Sequence, residues 1–97
     1  MRFLLILHGE SCADLRRSTF EEAARDAGEL VGGELLAHQQ LTMTVPDRAS
    51  SGVIDAYYLI DVEDQDRAVA LARLLPDART DGRYVEIRPV MRSAGDL

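Results

Sequence analysis

Five consecutive apolar residues, Phe3 to Leu7, stop abruptly at His8 and Gly9. A run of strand length with no polar alternation suits a strand covered on both faces, so it predicts a central strand of a sheet. It is too short for a membrane span or a secretory signal. The histidine that ends it is either a strand cap bonded to the backbone or an acid-base group at the mouth of a core strand.

The rest of the chain reads as alternating helices and strands. Ser18-Thr19-Phe20-Glu21 has the form of a capping box, and Phe20, Ala23, Ala24 and Ala27 follow at helical spacing until Gly28, which predicts a first helix over 18–28. Gly32-Gly33 predicts a sharp turn, and Leu41-Thr42-Met43-Thr44-Val45 alternates as a second strand that Pro46 stops. The stretch from Pro46 to Gly52 has loop composition. Ala56 to Val62 predicts a third strand, Asp64 caps an amphipathic helix running to Leu75 before Pro76, and Tyr84 to Arg88 alternates as a fourth strand.

The order β-α-β-β-α-β is that of a ferredoxin-like α+β fold: one antiparallel sheet, strand order 4-1-3-2, with both helices on one face. The 97 residues form one domain, residues 1–97. A core this small is marginal, and the helix-free sheet face needs a cover, which together predict a homodimer through that face. Met43 and Met91 are expected as core filler.

Charge narrows the partners. The formal net charge is −6 and all 11 basic residues are arginines interspersed with acids, so no stripe suited to nucleic acid is present. Single arginines remain able to grip a carboxylate. The lone Cys12 excludes an internal disulfide and suits a reducing cytoplasm, and it has no matched base nearby in sequence to make it a nucleophile. The acidic run Glu63-Asp64-Gln65-Asp66 is explained by the dipole of the helix it begins, and no His/Cys/carboxylate set has metal-ligand spacing.

In the 4-1-3-2 order the end of strand one lies beside the starts of strands three and four, which predicts Asp55, Tyr57, Arg83 and Tyr84 as neighbours of His8. These supply a base, a carboxylate to orient it, a phenol for an enolate and a guanidinium for an anionic substrate group. Leu4, Ile6 and His8 share one strand face, and the expectation is that they line a pocket under the helices, with Asp55 or a tyrosine orienting the ring. His38 is a candidate for the pocket rim. Tyr57 and Tyr58 point to opposite faces, one into the pocket and one to the dimer face.

GELVGGE at Gly28 to Glu34, AYYLIDVEDQDRAVALARLLP at Ala56 to Pro76 and YVEIRPVM at Tyr84 to Met91 together resemble the YCII-related proteins, in their DGPF branch. The resemblance spans nearly the whole chain. It implies a dimeric α+β barrel without metal or organic cofactor, acting on small aromatic or ring-containing molecules by elimination or related proton transfer. The Asp-Gly-Pro-Phe motif itself is absent, and STFEEAARDAG carries no histidine, so the family's His-Asp pair has no matching positions here. The expected function is a cofactor-independent isomerase, lyase or cyclase working by proton transfer on an aromatic or polyketide-like small molecule; the alternative is a non-catalytic ligand-binding or accessory protein on the same scaffold.

Overall fold

The computed structural model describes residues 1–12, 14–48, 52–92 and 94–96. Four strands and two helices alternate along the chain: β1 (Arg2–His8), α1 (Ser18–Asp26), β2 (Leu30–Leu35), β3 (Ile54–Asp61), α2 (Gln65–Ala72) and β4 (Tyr84–Pro89). The strands form one antiparallel sheet in the order β2-β3-β1-β4, the expected α+β, ferredoxin-like arrangement with the apolar run at its centre.

Residue parity divides the sheet into two unlike faces. Phe3, Leu5 and Leu7 of β1 pair with Ile60, Tyr58 and Ala56 of β3, and all six are buried with Phe20 and Ala24 of α1 and Ala68, Leu71 and Ala72 of α2. Fully burying a large apolar side chain contributes about 1.5–3 kcal/mol, so this layer is the main source of stability. The alternate residues Leu4, Ile6 and His8, with Tyr57 and Leu59, face away from the helices and are only half-buried.

The helix ends follow local chemistry. Asp64 caps α2 as expected, its Oδ1 accepting from the Arg67 N–H at 2.9 Å. Pro76 begins a short 3₁₀ turn, Pro76–Arg79, after a turn at Arg73 and Leu74 and a bend at Leu75. Gly28 follows α1 in the left-handed region at φ 70°, where its lack of a Cβ avoids a steric penalty. The Ser18 capping box does not form: the cap position is Arg17, no side chain caps the helix, and Glu21 instead accepts a hydrogen bond from the Tyr58 hydroxyl.

Strand two lies elsewhere than the alternation of residues 41–45 suggests. Gly32 and Gly33 are not a turn but the middle of β2, and residues 42–45 lie outside the sheet, with Met43 and Val45 fully out in solvent. Met91 is exposed too, so neither methionine fills the core. The physical reason is close packing. A Cβ at Gly33 would lie 2.6 Å from Tyr58 Cδ1 and 2.7 Å from the Tyr57 carbonyl oxygen, so only glycine lets β2 approach β3 here. The loop expected over Pro46 to Gly52 falls partly on 49–51, which lie outside the described residues.

Because one of those contacts is backbone, Gly33→Ala cannot be relieved by a rotamer change. It should lower stability by about 1–3 kcal/mol, the usual cost of overpacking, seen as a reduced urea midpoint with an unchanged far-ultraviolet spectrum.

Candidate functional site

The end of the sheet that carries His8 holds two separate groups of polar side chains. On the helix-free face, His8 at the end of β1 stands directly beside Tyr84 at the start of β4. The rings stack with centroids 4.4 Å apart and planes 9° from parallel. One pleat further along β4, Glu86 shares that face, and its Oε1 lies 2.8 Å from His8 Nε2. The other carboxylate oxygen, Oε2, takes a hydrogen bond from Arg88.

These contacts settle which imidazole nitrogen carries the proton. The hydrogen bond from His8, joined by Arg88 and opposed by desolvation, holds the Glu86 carboxyl below its ordinary range. An ionised carboxylate only accepts, so Nε2 is the N–H donor and a neutral ring has its lone pair on Nδ1. Nδ1 makes no hydrogen bond to the described residues. His8 lines an open cleft of about 320 Å³ with Gly9, Glu10, Gly52, Val53, Gly82 and Tyr84.

The second group is buried on the other side of the strand end. Pairing of β1 with β3 slips between Leu7, opposite Ala56, and His8, opposite Ile54, so Asp55 is an extra residue in a bulge. Its carboxylate is 2% exposed and accepts from Arg17 Nη2 at 2.7 Å and Arg83 Nη2 at 2.9 Å. Asp77, from the 3₁₀ turn and wholly buried, accepts from Arg17 Nε at 3.0 Å and Nη2 at 2.9 Å, and from Arg83 at 3.1 and 3.2 Å. Two carboxylates and two guanidiniums thus balance in charge within one hydrogen-bonded cluster. Burial pushes the Asp77 carboxyl up, but the hydrogen bonds and charges of Arg17 and Arg83 outweigh it, and the group lies below the ordinary carboxylate value.

The expected constellation is therefore split. His8 and Tyr84 come together, but the ring lies on the helix-free face rather than under the helices, because Phe3, Leu5 and Leu7 occupy the helix side. Asp55 does not orient it; the bulge turns Asp55 into the buried cluster and Glu86 takes that place. Arg83 has its charge matched by Asp55 and Asp77 and spends Nη1 on the Glu10 carbonyl. Tyr57 sits on the His8 face opposite Ile6. Tyr58, on the helix side, packs against Phe20, and burial followed by its bond to Glu21 pushes the phenol well above its usual value. His38 is exposed, its Nδ1 accepting from the Gln40 N–H at 3.2 Å to cap a 3₁₀ turn, and it lines a small cleft with Cys12, Leu36 and Asp55.

Glu86 was legible. Once His8 pairs with Tyr84, strict alternation puts Glu86 on the same face within a pleat. Arg17 and Asp77 carry no such signal, since both lie outside regular strands and helices of predictable parity. Among the described residues no group of three or more His, Cys, Asp or Glu side chains is placed to hold a metal ion, and no helix is long and apolar enough to cross a membrane. Comparison with family models, curated proteins and solved structures finds no match to the chain.

The charge cluster makes a prediction in acid. A carboxyl whose pKa is lowered by folding adds stability in full above the unfolded value near ~4, and loses it as pH falls through the native value. Asp77→Asn should lower stability at pH 7 by about 3–5 kcal/mol, the cost of breaking a buried pair. Urea unfolding at stepped pH should then show the variant losing less stability than the native chain between pH 5 and 2.

Proposed function

We propose that this chain is a cofactor-independent enzyme that moves a proton on an activated carbon of a small aromatic or polyketide-like molecule, by isomerisation, elimination or cyclisation. The observation that carries this reading is the His8–Glu86 pair at 2.8 Å, with the imidazole on the wall of a cleft. A carboxylate that fixes one ring nitrogen as donor leaves the other as base, the arrangement general-base chemistry requires. Tyr84 supplies a flat wall for a planar ring and a phenol as donor to a developing enolate.

The resemblance of GELVGGE, the Ala56–Pro76 segment and YVEIRPVM to the YCII-related proteins supports the same chemistry and the same assembly. Half-buried Leu4, Ile6, Tyr57 and Leu59 on the helix-free face favour a homodimer joined there. The free, exposed Cys12 suits a reducing cytoplasm.

The base is tested by deuterium exchange. Incubated in D₂O with a panel of 1,3-dicarbonyl compounds and unsaturated lactones, the protein should wash deuterium into at least one activated C–H position, followed by proton NMR. His8→Ala should slow this by about 100-fold or more while leaving the melting temperature nearly unchanged. Glu86→Gln, which keeps a hydrogen-bond partner but not the charge, should give a smaller loss with a displaced pH profile. Ligand binding without exchange in the wild-type protein would replace this reading with the ligand-binding alternative.

A further inference from the structure

The segment that follows β2 has an order of its own but nothing to pack against. His38 caps the 3₁₀ turn Gln39–Leu41, with Leu41 N–H donating to the His38 carbonyl at 2.9 Å and Thr42 N–H to the Gln39 carbonyl at 3.0 Å. Thr44 Oγ1 then closes the next turn, accepting from the Arg48 N–H at 2.9 Å and donating to the Arg48 carbonyl at 3.0 Å. Between these two locks the chain is extended at Thr42, with φ −71° and ψ 135°. Leu41, Met43 and Val45 are 71%, 91% and 99% exposed, and the intervening residues are threonines. Three large apolar side chains at alternate positions, held by local hydrogen bonds and unsupported by the core, have the pattern of a strand whose neighbour is another molecule.

The size of the surface fits a second copy of this chain. A compact monomer of 10.7 kDa exposes about 5,500 Å², whereas this chain exposes 6867 Å², roughly 1,400 Å² more. The radius of gyration, 14.1 Å, likewise exceeds the roughly 12.5 Å of a compact domain of this length. The principal extents of 39 × 37 × 17 Å describe a slab, one layer of helices on one layer of sheet. An excess of this size is what each subunit of a permanent dimer removes from water, beyond the roughly 800 Å² per partner of a standard interface.

We propose that residues 38–45 are an interface arm, buried in solution against a second copy of this chain and continuous with the contact made by the helix-free sheet face. The arm rests on the dimer reading above and extends it. The half-buried residues of the sheet face are a shallow apolar surface; Leu41, Met43 and Val45 add the fully exposed side chains whose burial contributes most per residue. One acceptor in the arm has the same need. Gln39 Oε1 is shut off from solvent without a hydrogen-bond partner among the described residues, beside a cleft lined by Thr42, Met43, Thr44, Val45, Asp47 and Arg48. A donor from the second copy would satisfy it.

Sedimentation equilibrium on the wild-type chain and on the double variant Met43→Asp/Val45→Asp tests the arm apart from the dimer. Both sites are solvent-exposed in the single chain, so the variant should keep the wild-type circular dichroism spectrum. The expected result is a wild-type dimer whose dissociation constant rises at least 10-fold in the variant. A second readout uses an environment-sensitive dye on Met43→Cys in a Cys12→Ser background, whose emission should shift to the blue as concentration crosses the dimer range. A wild-type dimer with an unchanged constant in the variant and no spectral shift overturns the arm and leaves the sheet-face dimer standing. A wild-type chain that stays monomeric overturns both.

Discussion

Four buried charges hold together the end of the sheet on which the candidate site is built. Arg17 comes from the approach to α1, Asp55 from the bulge that opens β3, Asp77 from the turn after α2, and Arg83 from the approach to β4. The apolar core holds the strands and helices and reaches Val62 and Leu75 just beyond β3 and α2, but none of the four charged side chains belongs to it. Charges out of water are tolerated only when each hydrogen bond is made, so the cluster specifies one arrangement of four loops and strand ends and penalises every other. Its cost in desolvation is offset by geometry: Arg17 engages both carboxylates, and Arg83 does the same from the opposite side.

The cluster reaches His8 through the backbone. Arg83 donates from Nη1 to the Glu10 carbonyl, and a Cβ at Gly9 would lie 2.7 Å from that same nitrogen. Gly9 itself, at φ 142°, donates its N–H to the Val53 carbonyl at 2.9 Å. The residue after His8 is thus a glycine for two reasons, backbone angle and the guanidinium pressed against it. Arg83 also sits directly before Tyr84, the ring stacked on His8. A single buried guanidinium therefore anchors both strands that carry the imidazole and its neighbours.

Most of the architecture was legible because its signals are local. The apolar run of β1, the Asp64 cap, Gly28 and the alternation from Tyr84 to Arg88 each specify an element without reference to the rest of the chain. What misled is equally physical. Gly32-Gly33 has turn composition and LTMTV has strand alternation, but the sheet takes the glycines because Tyr58 leaves no room for a side chain, and the alternating segment is left outside. An unbroken apolar run carries no parity, so which of its residues face the helices cannot be read from it; Phe3, Leu5 and Leu7 take the helix side, and His8 falls on the open face. The bulge at Asp55 reverses the remaining parity argument, and no residue type in IDAYYLID announces it.

The same parity separates two demands that conflict in one place. A stabilising ion cluster must be dry and fully paired, whereas a general base must keep one nitrogen free and within reach of a substrate. Had the strand run on without the bulge, Asp55 would have alternated away from Ala56 to the His8 face and left Arg17 and Arg83 with Asp77 alone. The extra residue moves Asp55 to the helix side, where it joins Asp77, and Glu86 is left to hold His8 from the neighbouring strand. Glu86 is balanced by His8 and Arg88 on the open face, so neither group borrows charge from the other. The ion cluster and the His8–Glu86 pair thus share a strand end, one on each side of the sheet, and the bulge in β3 is what keeps them apart.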